Sequence, residues 1–188
     1  MIEGDIDRFD ALVRAGDAER PALRRALQQL GDRFLYSQRE GLSLISDYLT
    51  EALYESNPSA LRALLDAGLS PNFRPYGDSL GEDSADTLLC CAGRSNESAL
   101  VELLLSHGAD PNLAGWKGWT PLMYAVALDT SGSLSPATSA RIVRILLAAG
   151  AQKERRNDAG YTADEILKAQ YHYAPEDTEV VVRALQEG

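Results

Sequence analysis

The sequence predicts an all-α protein, a solenoid of about five stacked helix pairs joined by short extended connectors. Two repeated marks and the overall composition predict it. A leucine pair followed three residues later by glycine occurs at 64–68, 104–108 and 146–150. A threonine stands twelve residues after the second and third of these glycines, at Thr120 and Thr162. The chain of 188 residues, 45% hydrophobic and 24% charged, suffices for one folded unit and excludes a wholly disordered protein.

Each mark has a physical role in a short helix. The leucine pair closes the buried face of a helix, and the glycine ends that helix in the left-handed conformation. The threonine caps the helix that follows. The same spacing of twelve residues joins Gly31 to Ser43, so one type of connector is predicted three times. This register places helix pairs at about 43–67, 86–107, 120–149 and 162–187.

The first forty residues are predicted to form a further, degenerate helix pair that caps the stack. Ile6, Phe9 and Leu12 have helical spacing, and Pro21 stands near the start of a second helix. A terminal unit of a stack keeps one face polar, and arginines such as Arg24 suit that role. We therefore expect one continuous domain, with the cap at 1–40 and repeats at about 41–72, 86–112, 118–154 and 160–188.

Two segments carry a resemblance to a known family. Leu103–Asn112 reads LLLSHGADPN and Thr120–Ala125 reads TPLMYA, while Thr87–Ala92 reads TLLCCA. These segments resemble the ankyrin family, whose repeat of about 33 residues carries T-P-L-H-x-A, then L-L, then G-A-D-x-N. Met123 stands where the family usually has histidine. The resemblance covers roughly residues 41–188 and implies an ankyrin-repeat solenoid that binds other proteins.

The composition also indicates the cellular compartment of the protein. The acidic start, Met1–Asp5, lacks the basic and apolar regions of a secretory signal, and no apolar run reaches membrane-spanning length. Cys90 and Cys91 are neighbours on a predicted helix, so we expect reduced thiols rather than an ordinary disulfide between them. These features predict a cytoplasmic protein that does not interact with membranes. The alanine-, leucine- and arginine-rich, lysine-poor composition suggests a bacterial one.

The net charge of −10 is concentrated in the middle of the chain. Residues 41–112 hold eleven acids and three arginines, whereas 1–40 and 113–188 are each nearly neutral. This distribution makes nucleic acid a poor partner. Two interpretations stay open: the acids only solvate the surface, or they form a docking field for a basic partner.

No catalytic or metal site is predicted. His107 lies in the helix-end motif and His172 stands alone, so neither is expected to act as a ligand or a base. Cys90 and Cys91 lack a histidine in an obviously paired element, and the chain has no glycine-rich phosphate loop. We predict that the protein is not an enzyme and needs no cofactor or metal; a redox or metal enzyme using the two thiols is the weakest alternative.

Departures from the regular spacing indicate where a partner binds, since extra residues in repeat proteins fall in loops. The connector 69–86 is seven residues longer than the others, and a Ser/Gly/Pro-rich insertion lies around 129–137. The ankyrin resemblance places binding on the connector tips and the exposed side of the first helices. Trp119 and Tyr161 each stand just before a capping threonine and are expected to pack along their own connectors instead. The predicted partner-binding residues are Asp47, Glu51, Phe73, Tyr76, Asp78, Glu82, Asp83, Asp86, Cys91, Trp116, Lys117 and Tyr124.

These features together predict a non-catalytic protein–protein interaction module. Similarity to small acidic ankyrin proteins that neutralise bacterial toxins, with the acidic middle segment, favours an inhibitor or immunity protein for a basic partner enzyme. An intracellular scaffold or adaptor and a secreted effector are the alternatives, because one fold hosts many functions.

Overall fold

The computed structural model describes residues 53, 58–74, 86–95, 97–127, 135–170 and 175–187. Within these ranges the regular secondary structure is helical and contains no strand, which confirms the predicted fold class. A single 3₁₀ turn lies at Trp116–Gly118. The α-helices are α1 Pro58–Ala67, α2 Leu88–Gly93, α3 Ser98–Ser106, α4 Pro121–Val126, α5 Pro136–Ala148, α6 Ala163–Gln170 and α7 Pro175–Glu187.

The helices pack in two rows, as expected for a stack of helix pairs. The first helices of their pairs, α2, α4 and α6, contact one another in succession, and α1, α3, α5 and α7 form the second row. Within the pairs, α2 contacts α3, α4 contacts α5, and α6 contacts α7. The predicted cap at 1–40 and the first half of the pair at 43–67 lie outside the described residues, apart from Leu53.

The apolar core lies between these two rows. The leucines that mark the ends of the second helices, Leu64, Leu104 and Leu146, are fully buried in one continuous cluster that includes residues from α1 to α7. Burying a leucine side chain stabilises the folded state by about 2 kcal/mol relative to leaving it in water. The leucine marks in the sequence therefore identify the contacts that hold successive repeats together.

Side-chain hydrogen bonds cap the starts of the first helices, and glycines follow the ends of the second helices. The hydroxyls of Thr87, Thr120 and Thr162 each accept a hydrogen bond from the amide three residues later, at 3.1, 3.3 and 3.3 Å. These bonds satisfy amides that have no partner within the first turn of a helix. The predicted caps are therefore confirmed. After the second helices α1, α3 and α5, positive φ angles of 110°, 86° and 92° occur at Gly68, Gly108 and Gly150.

Loss of one cap should reduce stability measurably. In Thr120→Ala the amide of Met123 loses its acceptor in a buried setting, and we expect the free energy of unfolding to fall by about 1 kcal/mol. Thr120→Ser keeps the hydroxyl and serves as the control, with a smaller loss. Urea denaturation followed by far-UV circular dichroism measures both; an alanine variant as stable as the wild type would contradict the capping role.

Hydrogen bonds between successive connectors set the spacing of their tips. The side-chain oxygen of Asn72 accepts from the amide of Asp110 at 2.8 Å. One connector further on, Asn112 accepts from the amide of Gln152 at 2.8 Å and donates to the carbonyl of Gly150 at 2.9 Å. Because each connector is bonded to the next, side chains on neighbouring connectors keep a fixed distance.

The predicted insertion within the third helix pair is also present. Helix α4 ends at Val126 and α5 begins at Pro136, whereas α3 begins only five residues after the last residue of α2. Residues 128–134 of this insertion, and 75–85 of the long first connector, lie outside the described residues. The extra length of the third pair therefore falls between the end of α4 and the start of α5, as the spacing predicted.

Candidate functional site

A cluster of polar and aromatic side chains lies between α2, α4 and the connector that precedes α4. Its centre is Asp86, which comes directly before the capping residue Thr87. The Oδ1 atom of Asp86 accepts hydrogen bonds from the amide of Trp116 at 3.0 Å and from the hydroxyl of Tyr124 at 2.7 Å. Its Oδ2 atom lies 3.2 Å from Nη1 of Arg94. One carboxylate thus joins two repeats.

Aromatic contacts surround this carboxylate. The guanidinium of Arg94 lies over the ring of Tyr124, 5.6 Å from its centroid, and the ammonium of Lys117 lies 4.0 Å from the centroid of a Trp116 ring. The rings of Trp119 and Tyr124 are 5.1 Å apart. The Nη2 atom of Arg94 also lies 3.9 Å from Sγ of Cys91. The Asp86 cluster, as we name it, comprises Asp86, Cys91, Arg94, Trp116, Lys117, Trp119 and Tyr124.

The repeat register explains why these residues meet. Cys91 and Tyr124 each stand four residues after a capping threonine, so they occupy corresponding positions on successive first helices. Asp86 and Trp119 each stand directly before a capping threonine and therefore correspond as well. Since the first helices pack side by side, corresponding positions of neighbouring repeats lie close together. Four residues of the cluster follow from this register alone.

The approach of the connector to Asp86 depends on a residue without a side chain. Gly115 has a φ of −98°, which any residue adopts, so conformational freedom is not the reason for glycine here. A Cβ at this position would lie 2.9 Å from Cα of Asp86 and 3.2 Å from Sγ of Cys90. Contacts this short require the backbone to shift. Gly115 therefore provides the space in which the connector reaches the carboxylate.

Burial and charge keep Tyr124 in its neutral form. Burial raises the pKa of the Tyr124 phenol well above its usual range, and the hydrogen bond to Asp86 and the charge of that carboxylate raise it further. The phenol therefore stays protonated at physiological pH and donates a hydrogen bond to the Asp86 carboxylate.

The two adjacent cysteines are poor nucleophiles. Both are free thiols, and burial raises the pKa of Cys90 to about 12 and the pKa of Cys91 to about 11. A hydrogen bond with Thr87 and the charge of Arg94 oppose these shifts only in part. Since the thiolate is the reactive species, neither residue is prepared for nucleophilic chemistry at neutral pH.

Alkylation kinetics test this conclusion. With a pKa of about 11, Cys91 carries roughly one thiolate per thousand molecules at pH 8, against about a quarter for an ordinary cysteine thiol. We expect iodoacetamide to modify the native protein at least about a hundredfold more slowly than the urea-unfolded protein, with Cys91 reacting before the more buried Cys90. Mass spectrometry of digested samples gives both rates. Equal rates in the native and unfolded proteins would contradict the burial of these thiols.

The cluster presents some of its groups to solvent and encloses the others. The side chain of Asp86 is 11% exposed, whereas that of Arg94 is 44% exposed and Trp116 is 48% exposed. Lys117 is exposed as well, and its φ of 54° places it in the left-handed region at the tip of the connector. A partner approaching this surface therefore meets an indole ring and two cationic groups, with the carboxylate behind them.

The structure brings together most of the predicted partner-binding residues that it describes. Asp86, Cys91, Trp116, Lys117 and Tyr124 all belong to the Asp86 cluster. Phe73 differs, because its half-buried side chain packs against the hydrophobic core. The other six predicted residues lie outside the described part of the chain: Asp47, Glu51, Tyr76, Asp78, Glu82 and Asp83.

Sequence reasoning missed Arg94 and misjudged one aromatic residue. Arg94 stands three residues after Cys91, a spacing that places the two side chains on one helical face and could have indicated the contact. Trp119 is half-buried and packs on Tyr124 within the cluster. Tyr161 was expected to pack along its connector, but it is 55% exposed. The expectation for Tyr161 was therefore wrong.

Within the described ranges, no group of three or more His, Cys, Asp or Glu side chains is arranged to hold a metal ion. None of the helices described here has the length and apolar character that crossing a membrane requires.

Comparison with known proteins agrees with this architecture. The stack of capped helix pairs defines a helical-repeat protein, and the family model for ankyrin repeats, three copies, matches residues 49–157. The chain belongs to the ankyrin-repeat family. Ankyrin repeats of this kind form protein–protein interaction modules.

Individual relatives share only part of their length with this chain. The ankyrin repeat, SAM and basic leucine zipper domain-containing protein 1 of Colobus guereza is 35% identical over 135 residues, which cover 66% of this chain and 24% of the relative. The human protein of that name is 35% identical over 134 residues, with the same two shares. The glycerophosphocholine phosphodiesterase gde1 of Schizosaccharomyces pombe is 33% identical over 114 residues, 59% of this chain and 9% of that protein. The chain thus spans at most about a quarter of these relatives.

Proposed function

We propose that this chain is a non-catalytic module that binds a partner protein through the Asp86 cluster. The observation that carries the proposal is the fixed position of an exposed tryptophan and an exposed arginine around one enclosed carboxylate. Trp116 and Arg94 are both bonded to Asp86, at 3.0 and 3.2 Å. The matched region of the phosphodiesterase is a small part of that enzyme and gives no support to catalysis by this chain.

The residue types of the cluster suit a protein interface. Tryptophan, tyrosine and arginine are enriched among the residues that contribute most to binding energy, because they offer a large contact area together with polar groups. Here Arg94 and Tyr124 are already held in one arrangement by the carboxylate. A surface that is ordered before binding loses less conformational entropy when the partner docks.

Affinity capture tests the proposal. The tagged wild-type protein, the double variant Arg94→Ala/Trp116→Ala and the control Arg141→Ala are each incubated with extract of the source organism, and bound proteins are identified by mass spectrometry. Arg141 is a suitable control because it is also an exposed arginine in an ion pair, with Glu102 at 2.9 Å. We expect a partner that the wild type and the control retain and the double variant loses. A partner retained equally by all three would assign binding to another surface.

A more specific role, a small bacterial inhibitor or immunity protein for a basic enzyme, is a second candidate. The eleven acids of residues 41–112 favour it. Three of the described acids, however, already contact a basic side chain of the same chain. These pairs are Asp66 with His107, Asp86 with Arg94, and Glu102 with Arg141. The docking field would therefore depend on the other eight acids of this segment, which include Glu82 and Asp83 in the first connector.

Salt dependence separates these roles. A charge-steered inhibitor should release its partner in high salt, and Glu82→Lys/Asp83→Lys should slow association, whereas a scaffold or a secreted effector should keep a largely salt-insensitive contact. Asp86 is left out of this double variant because its carboxylate holds the cluster together. The relatives named above are eukaryotic and do not support a bacterial origin. The cytoplasmic location stays a prediction.

A further inference from the structure

We infer that Asp86 is the positioning residue of this surface: it holds the tip of the second connector and the side chain of Arg94 in the arrangement that a partner recognises. The inference rests on the proposed function for its biological meaning, but its structural content is independent of any partner. Among the acids of residues 41–112, Asp86 was predicted to be a direct docking contact; the structure instead places its carboxylate behind the groups that face solvent.

The hydrogen-bonding capacity of the carboxylate is directed inward. Oδ1 accepts from the Trp116 amide at 3.0 Å and from the Tyr124 hydroxyl at 2.7 Å, and Oδ2 pairs with Arg94 at 3.2 Å. Hydrogen bonds to an ionised acceptor are about twice as strong as neutral ones. With 11% of its side chain exposed, Asp86 offers a partner little surface of its own.

The three groups bonded to Asp86 come from separate parts of the chain. Arg94 follows α2, Trp116 lies at the tip of the connector, and Tyr124 lies on α4 of the next repeat. The Trp116 amide is 30 residues from Asp86 in sequence and the Tyr124 hydroxyl is 38 residues away. The carboxylate therefore links surface groups that belong to two different repeats.

The tip of the second connector is a tight turn that bonds to Asp86. The amide of Gly115 donates to the carbonyl of Trp119 at 2.8 Å, which closes the connector into a tight turn. Within this turn Lys117 adopts a φ of 54°, a conformation that non-glycine residues rarely take. The Trp116 amide bonds to Asp86, two residues before α2, at 3.0 Å. The Cys90 thiol of α2 adds longer contacts to the carbonyls of Leu113 and Trp119, at 3.7 Å each.

The chain offers a direct probe, because Trp116 and Trp119 are its two tryptophans. In a Trp119→Phe background, the time-resolved fluorescence anisotropy of Trp116 reports the mobility of the tip on the nanosecond timescale. Asp86→Ala in this background removes all three contacts, and we expect the residual anisotropy of Trp116 to fall about twofold, toward that of a mobile loop. Asp86→Asn keeps the acceptor oxygen for Trp116 and Tyr124, so it should restore most of the anisotropy.

A matched control distinguishes positioning from a general loss of charge. Asp110→Ala removes an exposed aspartate that accepts a hydrogen bond from the Asn112 amide at 2.8 Å in the same connector. This variant should leave the anisotropy of Trp116 unchanged. Unchanged anisotropy in Asp86→Ala, or an equal fall in the Asp110 control, would overturn the inference.

A second measurement covers the case in which Asp86→Ala does not fold. Hydrogen exchange in the wild-type protein, followed by NMR, reports the Trp116 amide directly. If Asp86 holds this amide, exchange should be slowed at least about tenfold relative to an unprotected amide. Exchange at the unprotected rate would overturn the inference without any variant.

These measurements are independent of the proposed function. If the anisotropy and exchange results are as expected but no partner is lost by Arg94→Ala/Trp116→Ala, Asp86 positions a surface that the partner does not use, and the proposed function fails alone. If the tip stays ordered in Asp86→Ala while the double variant loses its partner, the proposed function stands. In that case the inference that Asp86 positions the surface fails.

Discussion

Replacing Leu104 with alanine is expected to lower the free energy of unfolding by about 3 kcal/mol. Leu104 is fully buried at the end of α3, in the core cluster shared by successive repeats. Its truncation removes apolar contacts and leaves a cavity, and both effects destabilise the folded state. In a repeat stack the loss falls on the interfaces between neighbours, so unfolding of the flanking helices should follow.

Urea denaturation of Leu104→Ala, followed by circular dichroism, measures this effect. Val180→Ala is the matched control, since Val180 is an apolar residue of α7 that is 44% exposed, and its truncation should change stability by less than about 0.5 kcal/mol. A loss below about 1 kcal/mol for Leu104→Ala would show that the core is less closely packed here than the structure indicates.

The substitution Gly115→Ala is expected to have the second-largest effect. The added Cβ would meet Cα of Asp86 at 2.9 Å and Sγ of Cys90 at 3.2 Å, and the contact with the backbone Cα cannot be relieved by rotating a side chain. We expect a destabilisation of about 1–3 kcal/mol, as for other overpacked sites. The connector should move away from the carboxylate, so the Trp116 amide should lose its bond to Asp86.

Urea unfolding and tryptophan fluorescence together measure the outcome for Gly115→Ala. The control Ala159→Val adds bulk at an exposed position of the next connector and should change stability by less than about 0.5 kcal/mol. A Gly115→Ala protein with the stability and emission spectrum of the wild type would mean that the connector and Asp86 are further apart than described.

The repeat architecture was predictable because its signals are local. A threonine cap such as Thr120 bonds to an amide three residues away, and a glycine such as Gly108 ends a helix through its own backbone conformation. Such marks can be read without knowing which parts of the chain meet. Their regular spacing then predicted the register of the stack.

The Asp86 cluster was only partly predictable, because its contacts are long-range. Counting charges assigned Asp86 to an acidic docking field, whereas the structure pairs it with Arg94 and with a tyrosine 38 residues away. The exposure of Tyr161 was also unpredictable, because it depends on a residue of the next helix. It corresponds to Trp119, which packs on Tyr124, but the residue that corresponds to Tyr124 in the next repeat is Ile166, and Tyr161 stays exposed.

The central claim is that a partner protein binds at the Asp86 cluster, and isothermal titration of the captured partner tests it most directly. The account predicts that Arg94→Ala and Trp116→Ala each raise the dissociation constant about 30-fold, as expected for residues at the centre of an interface. Arg141→Ala, which removes a more exposed ion pair outside the cluster, should stay within about twofold of the wild type. Dissociation constants of both cluster variants within twofold of the wild type would contradict the account.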